Sequence, residues 1–217
     1  MSILTTTEQN VFAVTSRMNE PLVEDQDGAP LPPFEEYPKT PRLMRDIIVT
    51  EKIDGTNAQV FISESGAILA GSRSRWITPK EDNYGFAKWV ESNREELLRL
   101  GPGRHFGEWW GAGVQRRYDQ PRKRFSLFNV ARWSEYFAGA ERNEFASRPS
   151  CCDVVPVLYS GPFSESGIAL SLDTLRRGGS VAAPGFMRPE GIIVFHTAAQ
   201  KPFKILLEND DKAKGAA

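Results

Sequence analysis

The apolar residues of this chain fall into short runs separated by turn-forming residues, and this spacing limits what the chain can fold into. The run at 46–52 is followed by the turn signal DGTN at 54–57 and by alternation up to Ile62, which predicts a strand, a tight turn and a second strand. Further short runs predict strands at 67–73, 106–110, 126–131, 154–158, 191–195 and 202–207. We therefore expect many strands and few helices.

Two segments carry a helical pattern instead. Apolar residues near a 3.6-residue period predict a helix over 84–100, with Asp82 or Asn83 as its cap and Gly101 followed by Pro102 as its end. A shorter helix is predicted at 172–177. Together with the strands, these segments predict the α+β class, with twisted, mainly antiparallel sheets at the core and helices at the flanks.

The length of 217 residues fits one main domain. We expect a polar, proline-containing extension at 1–33, a folded domain at 34–207 and a solvated tail at 208–217. No apolar run reaches the roughly 20 residues that span a bilayer, and the N-terminus lacks a signal-peptide pattern, so we expect a cytoplasmic protein without membrane contact. Two cysteines and two histidines are too few for a disulfide framework or a zinc site.

The formal net charge of −1 argues against a protein that holds nucleic acid by overall charge. Basic residues are nevertheless concentrated in one segment, where they are Arg116, Arg117, Arg122, Lys123 and Arg124. One interpretation of this cluster is a solvated face, and the other is a surface that binds nucleic acid phosphates.

The run Lys52-Ile53-Asp54-Gly55 has the strongest chemical content. Its lysine ends an apolar strand, which would hold the amine in a sheet cleft. Its glycine lets the backbone approach a phosphate closely. Taken alone, the same four residues are also compatible with a surface hairpin.

In their order and spacing, this run and the charged strand ends after it resemble the covalent nucleotidyltransferases, which are the polynucleotide ligases and messenger RNA capping enzymes. KIDGTN at 52–57 is similar to their nucleophile motif, and Thr56 and Asn57 resemble the RNA ligase 2 type. SRSR at 72–75 is similar to an arginine motif of that group, and FSLFNV at 125–130 to the strand before its late motifs. The resemblance covers residues 34 to 207 and implies a nucleotidyltransferase core, an ATP-grasp-like ligase fold.

The resemblance implies an ATP-dependent RNA ligase with defined residue roles. Lys52 would attack ATP and carry AMP covalently, Glu190 would hold Mg²⁺ or Mn²⁺, and Lys204 would neutralise the α-phosphate. The other nucleotide-binding residues that it implies are Glu51, Asp54, Asn57, Arg73, Glu108 and Phe128. The AMP would pass to an RNA 5′-phosphate, and a 3′-hydroxyl would displace it to seal the strand.

The electrostatics of this chemistry call for a cation. An amine attacks phosphorus only when it is neutral, whereas carboxylates such as Asp54, Glu108 and Glu190 favour its charged form. Positive charge from a divalent metal and from Lys204 is expected to reverse that balance.

The sequence departs from the family pattern in two places. The final motif usually reads Lys-x-Lys on one strand, but Lys201 and Lys204 are three residues apart with Pro202 between them. Alternate strand residues share a face, so we expect Lys204 rather than Lys201 to point into the site. Few residues follow Lys204, which predicts a stand-alone catalytic core and leaves room for an end-healing partner protein.

Two other functions stay open at this point. A minimal DNA ligase core would carry the same nucleophile motif, and Thr56, Asn57 and the 72–75 arginines favour RNA only modestly. A catalytically silent nucleotide- or RNA-binding module is opposed by the presence of Lys52, Glu108, Glu190 and Lys204 together.

Overall fold

The computed structural model describes residues 35–208 and residue 210. The chain divides into two units, residues 1–40 and residues 41–217. The described part of the first unit, residues 35–40, carries no regular element, and the elements below all belong to the second unit. The extension predicted at 1–33 and most of the tail predicted at 208–217 lie outside the described residues, so these boundaries stay predictions.

A four-stranded sheet carries the strand that ends at Lys52. Its strands are β1 (Asp46–Lys52), β8 (Val157–Pro162), β9 (Gly191–His196) and β10 (Lys201–Leu206). They lie in the order β10-β9-β1-β8, and every neighbouring pair is antiparallel. The central position of β1 gives the Lys52 end a strand on each side.

A six-stranded sheet begins directly after the turn at Asp54. It contains β2 (Thr56–Ile62), β3 (Ile68–Ser72), β4 (Trp76–Ile77), β5 (Gly103–Gly111), β6 (Lys123–Leu127) and β7 (Cys152–Val154). The strand order is β4-β3-β2-β5-β6-β7, and only the β6–β7 pair of these strands is parallel. The predicted α+β class with mainly antiparallel sheets is confirmed.

The helices are short except for one. They are α1 (Phe86–Ser92), α2 (Arg94–Leu97), α3 (Val130–Trp133) and α4 (Glu165–Gly178) in the described part of the chain. The single helix predicted over 84–100 is wrong, because Asn93 leaves helical geometry and its side-chain amide donates to the Trp89 carbonyl oxygen at 2.7 Å. The helix predicted at 172–177 already begins at Glu165, and the hydroxyl of Ser164 caps it by accepting from the Gly167 N–H. None of these helices is long and apolar enough to cross a membrane.

Two strand predictions also need correction. The strand predicted at 126–131 ends at Leu127, and Asn129 then caps α3 by accepting from the Arg132 N–H at 3.2 Å. The strand predicted at 154–158 is two strands in different sheets, separated by Val155 and Pro156. Proline lacks the N–H that a continuous ladder would need.

Helices cover one face of each sheet. On the six-stranded sheet, Val60 and Phe125 pack with Phe86 of α1 in one buried cluster. On the four-stranded sheet, Ile47 and Ile192 pack with residues of α4 such as Leu175 in another. Lys52 and Glu108 lie on the opposite faces of these two sheets, because the register places them out of phase with Ile47 and Val60.

A third buried cluster fixes the chain between the sheets. Ile53, which directly follows Lys52, is 3% exposed and belongs to a cluster with Trp110, Tyr118 and Phe186. Gly55 follows at a point where β5 lies very close, since a Cβ at this position would meet the Trp109 carbonyl oxygen and would lie 2.7 Å from the Trp110 Cβ. Residue 55 must therefore be a glycine for the turn to lie against β5.

We predict that Gly55→Ala lowers the free energy of unfolding by about 1–3 kcal/mol, because the added methyl group is forced into backbone atoms that cannot move away. Urea unfolding monitored by circular dichroism measures the change. The control is Gly178→Ala at the end of α4, where a Cβ meets no atom within 4 Å. Equal stability of the two variants would contradict this account of the turn.

Candidate active site

The pairing of β1 with β9 places a carboxylate beside the Lys52 amine. Lys52 is the register partner of Gly191, the first residue of β9, so Glu190 arrives next to it from a distant part of the chain. The Lys52 Nζ lies 2.5 Å from Glu190 Oε2, and the two side chains are 24% and 16% exposed. The amine is thus held by a partly buried ion pair and can still be reached from solvent.

Glu108 of β5 provides a second carboxylate next to this pair. Its Oε1 accepts from the Gly55 N–H at 3.1 Å and its Oε2 from the Asn57 amide at 2.9 Å. The pKa of Glu108 is raised to about 7, mainly by burial and to a smaller extent by the charge of Glu190, against the opposing effects of the Asn57 hydrogen bond, the charge of Lys52 and the Gly55 hydrogen bond. Glu108 is therefore close enough to Lys52 and Glu190 to be coupled to both electrostatically.

Asp54 is held by two residues of the segment at 116–118. Its backbone N–H donates to the Tyr118 hydroxyl at 2.8 Å, and its carboxylate accepts from Arg116 Nε at 2.9 Å. Arg116 also donates to the Arg188 carbonyl oxygen at 3.0 Å. Tyr118 is fully buried, and burial raises its pKa. Its part in the site was not predicted, because nothing in the sequence pattern links Tyr118 to residue 54.

Glu51 is a buried anchor for the loop that follows α4. Its carboxylate accepts from the Ser180 hydroxyl at 2.5 Å and from the backbone N–H groups of Val181 and Ala182 at 2.8 and 2.9 Å. The pKa of Glu51 is raised overall, because the effect of burial exceeds the lowering by these three hydrogen bonds. This structural role was not predicted, and the contact between Glu51 and adenine stays a prediction.

The strand register places Lys204 on the face of Lys52. Lys204 pairs with Ile193 of β9, and Ile193 pairs with Thr50 of β1, two residues before Lys52. Directly paired residues share a face, as do alternate residues of one strand. Lys204 and Lys52 therefore lie on the same side of the four-stranded sheet.

Lys201 lies on the other side. It pairs with His196, which pairs with Ile47, and Ile47 is buried against α4. Pro202 is tolerated between the two lysines because β10 is an edge strand. The nucleotide role expected of Lys204 stays a prediction.

Phe128 and Arg73 lie at the borders of the six-stranded sheet. Phe128 comes two residues after Ser126, the register partner of Glu108, so it continues the face that carries Glu108. It is 41% exposed, and its N–H donates to the Phe106 carbonyl oxygen at 2.9 Å. Arg73 is exposed in the turn between β3 and β4. Their contacts with the nucleotide stay predictions.

The five basic residues predicted to bind nucleic acid differ in their contacts, and their role in binding stays a prediction. Arg124 makes two hydrogen bonds of 2.8 Å to the Asp153 carboxylate, and its guanidinium lies 5.2 Å from the centre of a Trp110 ring. Lys123 donates to the Tyr84 carbonyl oxygen at 2.7 Å. Arg117 and Arg122 are exposed. Together with Arg116, which holds Asp54, three of the five basic side chains are engaged within the protein.

The carboxylates near Lys52 suit a metal ion that takes most of its ligand oxygens from water and phosphate. Among the described residues, no group of three or more histidine, cysteine, aspartate or glutamate side chains is arranged to hold an ion. Mg²⁺ characteristically binds one or two protein carboxylates and completes its shell with water and phosphate oxygens. Glu190, with Glu108 beside it, fits that requirement.

Comparisons with known proteins agree on one family. A family model described as RNA ligase matches residues 45–206. An apo variant of Naegleria gruberi RNA ligase is 17% identical with a TM-score of 0.53, and the match covers 81% of this chain and 57% of that one. A variant of the same ligase with ATP and Mn is 16% identical with a TM-score of 0.54, covering 82% and 58%. No curated protein sequence matches this chain.

The likeness to the Naegleria structures shows a shared fold, a nucleotidyltransferase-like arrangement of mixed sheets. This chain spans less than three-fifths of the length of those ligases. The family model covers both sheets and every residue from Glu51 to Lys204 that was predicted to bind the nucleotide. The chain belongs to the RNA ligase family.

Proposed function

We propose that this chain is an ATP-dependent RNA ligase that works through a covalent lysyl-AMP. Lys52 attacks the α-phosphate of ATP, a nitrogen–phosphorus bond forms, and pyrophosphate leaves. The AMP then passes to an RNA 5′-phosphate, and a 3′-hydroxyl displaces AMP to form the phosphodiester. The observation that carries this proposal is the partly buried pair of Lys52 and Glu190.

That pair also defines the first chemical problem. The Glu190 carboxylate favours the protonated form of the Lys52 amine, which cannot attack phosphorus. Mg²⁺ or Mn²⁺, when bound at Glu190, supplies positive charge that offsets the carboxylate and favours the neutral amine.

The surrounding residues position the nucleotide and meet its charge. Lys204, on the same sheet face as Lys52, is suited to the negative charge that develops on the α-phosphate oxygens. Glu108 and Asn57 present polar groups to the ribose from the six-stranded sheet, and Phe128 presents an exposed ring on the same face. Arg73 is suited to a phosphate or the ribose from the β3–β4 turn.

Two observations bear on the alternatives. Membership of the RNA ligase family favours RNA over DNA as the substrate. The Lys52–Glu190 pair, with Lys204 on the same face, favours an enzyme over a silent binding module. An end-healing partner and a cytoplasmic location remain expectations from the sequence.

We predict that incubation with ATP and magnesium adds one AMP to the protein, and that Lys52→Ala abolishes the adduct. Intact-mass spectrometry measures both, and a chelator should prevent the addition. Lys204→Ala should slow adduct formation at least tenfold, whereas the control Lys201→Ala, on the opposite face, should leave the rate unchanged. An adduct in Lys52→Ala would refute the nucleophile, and equal effects of the two lysine variants would refute the strand-face argument.

The titration of Glu108 gives a prediction about stability. The folded protein holds the Glu108 proton up to about pH 7, whereas an ordinary glutamate loses it near 4.5. The folded state therefore binds more protons between these values, and the free energy of unfolding falls as pH rises through this window. Glu108→Gln lacks this titration, so its stability relative to the wild type should rise by about 2–3 kcal/mol between pH 5 and pH 8.

Urea unfolding at several pH values measures this difference. The control Glu91→Gln replaces an exposed glutamate of α1 and should follow the wild type throughout. Parallel pH profiles for wild type and Glu108→Gln would contradict the burial argument.

The basic segment contains exposed residues and residues bonded within the protein, and this difference gives a prediction about RNA binding. Replacing the exposed Arg117 and Arg122 with alanine should weaken RNA binding and reduce its salt dependence by about one unit of slope per lost phosphate contact, with self-adenylylation unchanged. Arg124→Ala should instead lower stability, because it leaves Asp153 unpaired. Binding titrations at several salt concentrations measure the first effect, and unchanged binding would remove these two arginines from the RNA surface.

A further inference from the structure

The face of the six-stranded sheet that carries Glu108 continues well beyond it. Along β5, Arg104 and Phe106 share the face of Glu108, because alternate strand residues point the same way. Along β2, Gln59 and Phe61 share the face of Asn57 for the same reason. The register pairs Gln59 with Phe106 and Phe61 with Arg104, so the four side chains form two successive rows.

The next two strands, β3 and β4, extend both rows. Phe61 pairs with Leu69 of β3, and Gln59 pairs with Gly71, which in turn pairs with Trp76 of β4. We use the name outer patch for the residues Phe61, Leu69, Trp76, Arg104 and Phe106. Leu69, Trp76 and Phe106 are 46%, 43% and 51% exposed, so the outer patch presents apolar side chains to solvent.

The planar groups of the outer patch are held against each other. The Arg104 guanidinium carbon lies 5.2 Å from the ring centres of both Phe61 and Trp76. The two ring centres are 6.0 Å apart. Arg104 also donates to the Gln59 amide oxygen at 3.0 Å, which fixes the guanidinium on the sheet. The patch is thus a preorganised surface of aromatic rings and one cation.

Gly71 is part of the same construction. A Cβ at residue 71 would lie 2.7 Å from the Gln59 Cγ, so a side chain there would displace Gln59 and with it the hydrogen bond to Arg104. Because Gly71 has no side chain, Gln59 keeps its position between Gly71 and Arg104.

The outer patch lies on the same sheet face as the active-site residue Glu108. Arg104 and Glu108 are four residues apart on β5, which corresponds to about 14 Å along the strand. Arg73 and Arg75 lie in the turn directly before Trp76 and are exposed. A strand that leaves the active site along this face would thus meet aromatic rings first and basic side chains at the edge.

We propose that the outer patch binds the bases of a single-stranded segment of the RNA substrate by stacking, a proposal that rests on the ligase function proposed above. Exposed rings interleaved with arginine suit nucleic acid bases, because every base offers a flat face and arginine planes also stack on bases. Continuity with the face of Glu108 and Asn57 and the neighbouring arginines favour RNA over a protein partner.

Tryptophan fluorescence can report contact at the patch directly. Of the five tryptophans, Trp109, Trp110 and Trp133 are at most 2% exposed and Trp89 is partly buried, whereas Trp76 is 43% exposed. A 5′-phosphorylated single-stranded RNA of about ten nucleotides should therefore quench the emission of Trp76 in the full chain. The quenching should be absent in Trp76→Phe, whose ring can still stack.

Binding affinity provides the second measurement. Trp76→Ala should weaken binding of the same RNA about tenfold or more, the loss of one base stack, while Trp76→Phe keeps most of the affinity. Arg104→Gln should weaken it as well. The control Tyr136→Ala removes an aromatic residue that is 55% exposed elsewhere and should have no effect.

Self-adenylylation, which needs no RNA, separates the possible failures. If the wild type forms no AMP adduct, the ligase function is refuted, while quenching and affinity still test the patch. If every variant forms the adduct but quenching and affinity do not respond to the Trp76 and Arg104 changes, the stacking proposal is overturned. If Trp76→Ala loses the adduct by misfolding, the Trp76→Phe quenching and the Arg104→Gln affinity decide instead.

Discussion

The antiparallel pairing of β1 with β9 is the constraint on which the site depends. It joins Lys52 to Gly191 in register and so brings Glu190 within 2.5 Å of an amine that is 138 residues away in the chain. The same ladder, carried one strand further to β10, places Lys204 on the sheet face of Lys52 and Lys201 on the other face. A shift of one residue in this register would reverse both assignments, because it would turn every side chain to the other face.

Successive residues at the end of β1 point to opposite faces of the sheet, and their roles differ accordingly. Glu51 points to one side, where three donors hold its carboxylate, and Lys52 points to the other, where Glu190 and Glu108 lie. The loop after α4 is thereby tied to the residue next to the nucleophile. Ile53 is then buried again, so the backbone of Lys52 is held between two buried neighbours.

What the sequence could predict was mostly local. The turn at Asp54 and Gly55, the strands on either side of it and the choice of Lys204 over Lys201 follow from turn chemistry and from the period of two. The break at Asn93 could not be predicted, because it depends on one side-chain hydrogen bond competing with the helix. The contacts of Arg124 with Asp153 and of Tyr118 with Asp54 could not be predicted, because they form only through tertiary structure.

Two features on one face of the six-stranded sheet do not favour folding. Burying Glu108 is unfavourable, as its raised pKa indicates, and the Gly55 N–H and the Asn57 amide offset this with two hydrogen bonds. Farther along the same face, apolar rings next to Arg104 are exposed to solvent and do not contribute to the buried core. Stability alone accounts for neither feature. Both features lie on the face of the sheet opposite α1, so the RNA substrate proposed above, lying along that face, would account for them together.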